Sequence, residues 1–140
     1  MYKRQLPLLR KSASQDDPAR VINIGSIDGI GTPVFETYPY SASKASVHHM
    51  TRVLAARLVK ENILVNAIAP GPFPSDMLGA AVEHNYEGII SRNPVHRMGR
   101  AEDVGGLAIY LSSKAGSYTV GETITCDGGT ISSSGHDLSE

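Results

Sequence analysis

The chain has 140 residues, of which 41% are hydrophobic, which is the size and composition of one globular domain. Lys and Arg total 13 against 14 Asp and Glu, for a formal net charge of −1. That balance gives no electrostatic case for nucleic-acid or membrane-surface binding, and 6% aromatic residues with no Trp offer few platforms for stacking bases. Cys126 is the only cysteine, so no disulfide can close within the chain, which fits a reducing compartment and a cytoplasmic location. No apolar run approaches the roughly 20 residues of a membrane-spanning helix. Nothing at the start reads as a signal peptide.

Leu6–Lys11 (LPLLRK) has the look of the last turns of an apolar helix. Ser12–Ala19 is polar and carries Asp-Asp-Pro, a loop signature. Arg20–Ile24 (RVINI) is β-branched and mostly apolar, as in a strand covered on both faces of a parallel sheet. Gly25 and Ser26 end it. Ile27–Tyr38 is a loop punctuated by Gly29, Gly31 and Pro33. Phe35 and Tyr38 in it could line a pocket or cap the core beneath it. Asp28 could meet a polar substrate group or simply form the turn.

A helix is predicted from about Tyr38 to Lys60, with Pro39 in its first turn, where a missing N–H costs nothing. Val47, Met50, Leu54 and Leu58 form one apolar stripe, and Ala42, Ser46, His49, Val53 and Ala56 a second, smaller-residue stripe. His48 and His49 point to different sides of a helix and have no acidic or cysteine partner at ligand spacing. They read as surface or interface histidines rather than metal ligands. Glu61-Asn62 makes the turn into Ile63–Ala69 (ILVNAIA), a second buried strand, which Pro70-Gly71-Pro72 stops. Strand, helix and strand with short links argue for βαβ units. Asp76–Ser91 reads as short helices over the substrate side, with Met77, Leu78, Ile89 and Ile90 inward, and Asn93–Gly99 as a loop. A helix opens at Arg100–Asp103 with acids in its first turn and runs to about Ser113. Glu122–Cys126 is a third strand, Asp127-Gly128-Gly129 is a turn, and residues 130–140 are a polar, loosely ordered tail.

The chemistry concentrates between Gly25 and Lys44, GSIDGIGTPVFETYPYSASK. Tyr40 and Lys44 are four residues apart and so share one helical face. A phenol beside an ammonium is equipped to give or take a proton. At about 4 Å and an effective dielectric near 20, the ammonium attracts an ionised phenol by about 4 kcal/mol. The hydroxyl of Ser26 can hold a carbonyl oxygen beside that phenol. Tyr-x-x-x-Lys alone is a weak signal that better fits a buried tyrosine and a solvated lysine on an amphipathic helix. Its setting is more specific: strand, Gly-Ser, loop, YSASKAS, helix.

In that setting the sequence resembles the short-chain dehydrogenase/reductase family, from about Leu6 to Gly129, and covers the C-terminal half of such a protein. The resemblance implies an α/β fold, a Rossmann-like doubly wound parallel sheet, of which one partial domain of about three strands with flanking helices is present. It implies catalytic roles for Ser26, Tyr40 and Lys44, and NAD(P) as cofactor. Tyr40 and Lys44 would also touch that cofactor. APGPFPSDM looks like the loop that cradles the nicotinamide, so Pro70, Gly71 and Phe73 would meet the ring or its carboxamide and the Ser75 hydroxyl would bond the carboxamide. Pro72 and Pro74 are unusual there and remove two backbone donors. YSASKAS, APGPFPSDM and GRAEDV look closest to 3-oxoacyl-(acyl-carrier-protein) reductases, implying a small carbonyl or alcohol substrate. The helix carrying Tyr40 builds a subunit interface in that family, so a homo-oligomer is implied.

The family's glycine-rich turn is not read in this sequence: no G-x-G-x-x-G occurs, and the one G-x-x-x-G-x-G spacing, Gly25–Gly31, falls in the loop that carries Ser26. Half of the dinucleotide site is therefore outside it, and the chain reads as a piece of a longer reading frame. The strand at Arg20–Ile24 is then expected to expose an unpaired edge. The rival expectation is a truncated, non-catalytic half-domain that docks on a related subunit.

Overall fold

The computed structural model describes residues 2–33, 35–75 and 86–133. The main elements of the described residues follow one another as α1 (Tyr2–Ser12), β1 (Ala19–Ile24), α2 (Tyr38–Leu58), β2 (Ile63–Pro70), α3 (Ala101–Ser112) and β3 (Thr123–Cys126). The strands form one parallel sheet in the order β1-β2-β3. Ala19 pairs with Ile63 and Ile24 with Ile68, while Ala67 pairs with Thr123 and Pro70 with Cys126. All three carboxyl ends therefore lie along the same side of the sheet.

β2 is central, and its sequence accounts for that. Every residue from Ile63 to Ala69 is buried. Side chains alternate faces along a strand, so both faces are covered. Ile63 and Val65 join Ala55 and Leu58 of α2, with Leu6 and Leu9 of α1 packed alongside. α3 packs on β1 and β2, and its Leu111 is almost fully buried. Each such side chain stabilises the fold by about 1.5–3 kcal/mol through burial. Asn66, the one polar residue of β2, is satisfied: its Nδ2 donates to Thr119 O at 2.7 Å and its Oδ1 accepts from Glu122 N–H at 3.0 Å. These bonds fix the turn that feeds β3.

α2 starts with Pro39 in its first turn and passes into a tight turn at Val59–Glu61. Asn62 then takes a left-handed conformation at φ 57° and delivers the chain to β2. The rotation of α2 differs from the apolar stripe read from sequence. Its buried residues are His48, Thr51, Ala55 and Leu58, whereas Met50 is half exposed. Polar Thr51 can face inward because its hydroxyl donates to Val47 O and accepts from Asn23 Nδ2, both at 2.9 Å. That tie locks α2 to β1.

Asp127-Gly128-Gly129 is a turn, as expected. Gly128 and Gly129 have φ of 62° and 85°, which side chains rarely tolerate. The following residues are better held than expected of a loose tail. Asp127 accepts from the N–H of Gly129 and of Ile131, and the Thr130 hydroxyl donates to Asp127 O. Residues 134–140 and the inward-facing roles expected of Met77 and Leu78 lie outside the described residues. Residues 86–90 are helical. Among the described residues no helix is long and apolar enough to cross a membrane.

Candidate active site

The carboxyl end of β1 carries the site. Gly25 N–H still donates to Ile68 O of β2 at 2.8 Å, so the sheet holds the chain up to that point. Ser26 follows and is buried. Its hydroxyl accepts from Asp28 N–H at 3.2 Å and starts the tight turn Ile27–Gly29. Asp28 is thus a turn former. Burial pushes its carboxyl above the usual carboxylate range, opposed by a bond from the Thr37 hydroxyl.

Tyr40 and Lys44 lie one turn apart near the start of α2, both half-buried. Lys44 Nζ sits 5.5 Å from the centre of the Tyr40 ring. The same ammonium donates to Ile24 O at 3.2 Å, two residues before Ser26. The backbone of β1 therefore holds the cation in place over the Tyr40 ring. Ser26 itself bonds to Asp28 and to His48, the latter through its N–H to Nε2 at 3.3 Å.

His48 corrects the sequence reading. It is 4% exposed and not a surface residue. Burial pulls its pKa below the ordinary value, a backbone bond with Gly29 opposes this, and the cations Arg52 and Lys44 add to the lowering. The imidazole lies so close to the strand end that a Cβ on Gly25 would stand 2.0 Å from Nε2. A signal for it was present: Tyr40, Lys44 and His48 fall at successive intervals of four, hence on one face.

The loop after β2 is anchored at both ends. Gly71 N–H donates to Cys126 O at 3.0 Å, and Pro72 O accepts from Gly99 N–H at 2.9 Å. Phe73 turns toward Gly99, where a Cβ would come 2.3 Å from the ring. Phe73, Arg97, Asp103 and Cys126 help line a cavity of about 330 Å³ beyond β3. Burial raises the Cys126 thiol, with Asp103 and Asp127 adding to it. Pro70 and Gly71 are half-buried and Ser75 is exposed. Phe35 and Tyr38 are 45% and 70% exposed, so neither caps the core. Among the described residues no group of His, Cys, Asp and Glu could hold a metal ion.

Residues 1–131 match the family described as Enoyl-(Acyl carrier protein) reductase. The chain is 48% identical over 126 residues to the rhamnolipids biosynthesis 3-oxoacyl-[acyl-carrier-protein] reductase of Pseudomonas aeruginosa, covering 89% of this chain and 49% of that protein. It is 38% identical over 122 residues to the 3-oxoacyl-[acyl-carrier-protein] reductase FabG of Rickettsia felis, covering 86% of this chain and 50% of the relative. The chain belongs to the short-chain dehydrogenase/reductase family. Among solved members of the family, the Pseudomonas aeruginosa RhlG/NADP active-site complex superposes with a TM-score of 0.88 at 46% identity, covering 92% of this chain and 51% of the other. The fold is accordingly the Rossmann-like sheet of the family in part: three parallel strands and their helices. The chain spans about half the length of the family members it matches.

Proposed function

We propose that the protein carrying this chain is an NAD(P)-dependent oxidoreductase that interconverts a carbonyl and an alcohol, with 3-oxoacyl thioesters as the substrate class. The observation that carries the reading is the placement of Lys44, held by Ile24 O beside Ser26 while its charge faces the Tyr40 ring. Tyr40 delivers a proton to the substrate oxygen in reduction and removes it in oxidation. Lys44 stabilises the charge left on the phenol and offers its remaining donors to ribose hydroxyls. Ser26 presents a hydroxyl to the same substrate oxygen.

The residues present fit the nicotinamide half of NAD(P). Lys44 and Tyr40 supply polar groups at the carboxyl end of a parallel sheet, where such folds bind ligands. Pro70, Gly71, Phe73 and Ser75 follow the neighbouring strand end and would border the ring and its carboxamide. When bound, the cofactor supplies the hydride exchanged with the substrate carbon. The cofactors of the Pseudomonas complex and the substrate class of the two reductases support this assignment. A homo-oligomer formed through the exposed side of α2, where Met50 is half exposed, is part of the same reading. So is a reducing, cytoplasmic setting for the lone Cys126.

The test is turnover of acetoacetyl-CoA with NADPH and NADH by a full-length protein that carries residues 1–140 as its C-terminal half. Tyr40→Phe is expected to lower kcat by about 100-fold or more, the scale of a lost general acid. Unchanged turnover would refute the proton-donor role. A second reading is a half-domain that only docks on a related subunit. Calorimetric titration of residues 1–140 with NADPH addresses it. This reading, like the loss of the glycine-rich half from the site, requires that the 140 residues alone bind no cofactor at micromolar concentrations.

A further inference from the structure

We propose that His48 is a positioning residue for this site: its neutral imidazole fixes the backbone on which Ser26 presents its hydroxyl. The inference rests on the oxidoreductase reading above.

Three hydrogen bonds define the strand end. Gly25 N–H donates toward β2, to Ile68 O at 2.8 Å. In extended backbone the carbonyl before that N–H points the opposite way, and the next N–H along points with the carbonyl. Those two groups are Ile24 C=O and Ser26 N–H. α2 supplies a partner to each, from residues one turn apart: Lys44 Nζ at 3.2 Å to Ile24 O, and His48 Nε2 at 3.3 Å from Ser26 N–H. The peptide plane before Gly25 is thus held from both flanks, and the one after it is held from the α2 side. Only then does the chain reach Ser26 Oγ, whose remaining freedom is limited by the bond from Asp28 N–H.

The tautomer follows from the geometry. A nitrogen that accepts an N–H carries no proton, so Nε2 is bare and the ring proton lies on Nδ1. Gly25 is what lets the ring approach, since a Cβ there would stand 2.6 Å from Cδ2 as well as 2.0 Å from Nε2. Without an acceptor at position 48, the N–H of a buried serine loses its partner and the strand end can rotate. His48 bonds Ser26 through the backbone and not through the hydroxyl, so it acts on the reaction only through another residue.

The experiment compares His48→Leu with His48→Gln in the full-length protein, using acetoacetyl-CoA and NADPH. Glutamine places Oε1 as many bonds from Cα as histidine places Nε2, so it keeps an acceptor within reach. His48→Leu is expected to lower kcat by about tenfold while KM for NADPH stays within about twofold, and His48→Gln to recover kcat to within about threefold of the parent. A folded His48→Leu protein with parental kcat, or equal loss in both variants, overturns the proposal. Should His48→Leu fail to fold, His48→Met, which keeps the length and accepts only weakly, takes its place in the same comparison. Ring nitrogen shifts of His48 by NMR give a readout independent of turnover: a proton on Nδ1 is expected, and a proton on Nε2 overturns the proposal. Tyr40→Phe in the same assay separates the two claims. Turnover retained in Tyr40→Phe sinks the oxidoreductase mechanism itself, whereas an inactive Tyr40→Phe beside an unimpaired His48→Leu sinks only the positioning role.

Discussion

Lys44 Nζ donates to the carbonyl oxygen of Ile24, and this bond joins the lysine of the Tyr-x-x-x-Lys spacing to the strand that leads into Ser26. An ammonium has three donors and no acceptor. One donor on Ile24 fixes its position, and the others stay available to the phenol side of the site and to a bound ribose. The lysine is therefore more than a neighbouring charge, and its replacement has two consequences. Lys44→Met is expected to lower kcat/KM for acetoacetyl-CoA by about 100-fold or more, through loss of charge stabilisation and of a ribose contact. Lys44→Arg keeps the charge and is still expected to fall well short of the parent, because a planar guanidinium cannot occupy the place of a compact ammonium. Steady-state kinetics on both variants check this, and full activity in Lys44→Arg would show that charge alone suffices.

Gly25 is tested by adding a single methyl group. Gly25→Ala places a Cβ where the His48 ring now lies, 2.0 Å from Nε2. The ring is buried and cannot move aside without disturbing Ser26. A destabilisation of about 1–3 kcal/mol is expected, the usual range for overpacking. Urea denaturation of Gly25→Ala beside Gly106→Ala, where a Cβ meets nothing within 4 Å, measures it. Loss confined to activity, with stability intact, would mean that the strand end shifts readily.

Much of this architecture was legible before any coordinates. RVINI and ILVNAIA read as buried strands because most of their residues are apolar; β2 is covered on both faces, whereas β1, at the edge of the sheet, is only half-buried and leaves Ile24 exposed. The Tyr40–Lys44 pair and the Ser26 turn were legible from spacing and from the glycine that precedes the serine. The rotation of α2 was not. Hydropathy favours Met50 over Thr51 as an inward residue, but Thr51 satisfies its hydroxyl on Val47 and Asn23 and so packs without penalty. His48 was missed for the same reason: a polar side chain looks external until its partner, here a backbone N–H, is known. Of the two readings of Phe35 and Tyr38, exposure removes the core-capping one, because the loop leaves both rings at the surface.

Asp103 provides a pH-dependent test of the α3 start. Its carboxylate accepts from Arg97 Nη1 at 2.7 Å and Nη2 at 3.1 Å, and from Arg100 N–H at 2.7 Å. The Arg97 guanidinium first, and the Arg100 N–H next, hold its pKa at about 2. An unfolded Asp titrates near 3.9. The folded value lies below the unfolded one, so the unfolded chain binds the extra proton as acid is added. The stabilisation is fully present above pH about 4 and is lost as pH falls toward about 2. Thermal melts from pH 5 to 2 should therefore drop more steeply for the parent than for Asp103→Asn. Parallel curves for the two proteins would show that the Arg97 pair contributes nothing to stability.

The outer edge of β1 yields the last prediction. Among the described residues β1 pairs only with β2, so one row of its backbone N–H and C=O groups has no described strand beside it. A shallow groove lined by Leu8, Leu9, Val21 and Ile22 runs along that edge, and Ile24 is 53% exposed. An apolar strand edge of this kind recruits other strands, whether from the same protein or from another copy. The 140 residues prepared alone are expected to self-associate with rising concentration. Ile24→Lys, which puts a charge at the exposed edge and leaves the Gly25–Ile68 bond in place, is expected to suppress that association. Light scattering across a concentration series reads the effect. If the parent stays monomeric throughout, or if Ile24→Lys associates equally, the β1 edge is not what drives the contact.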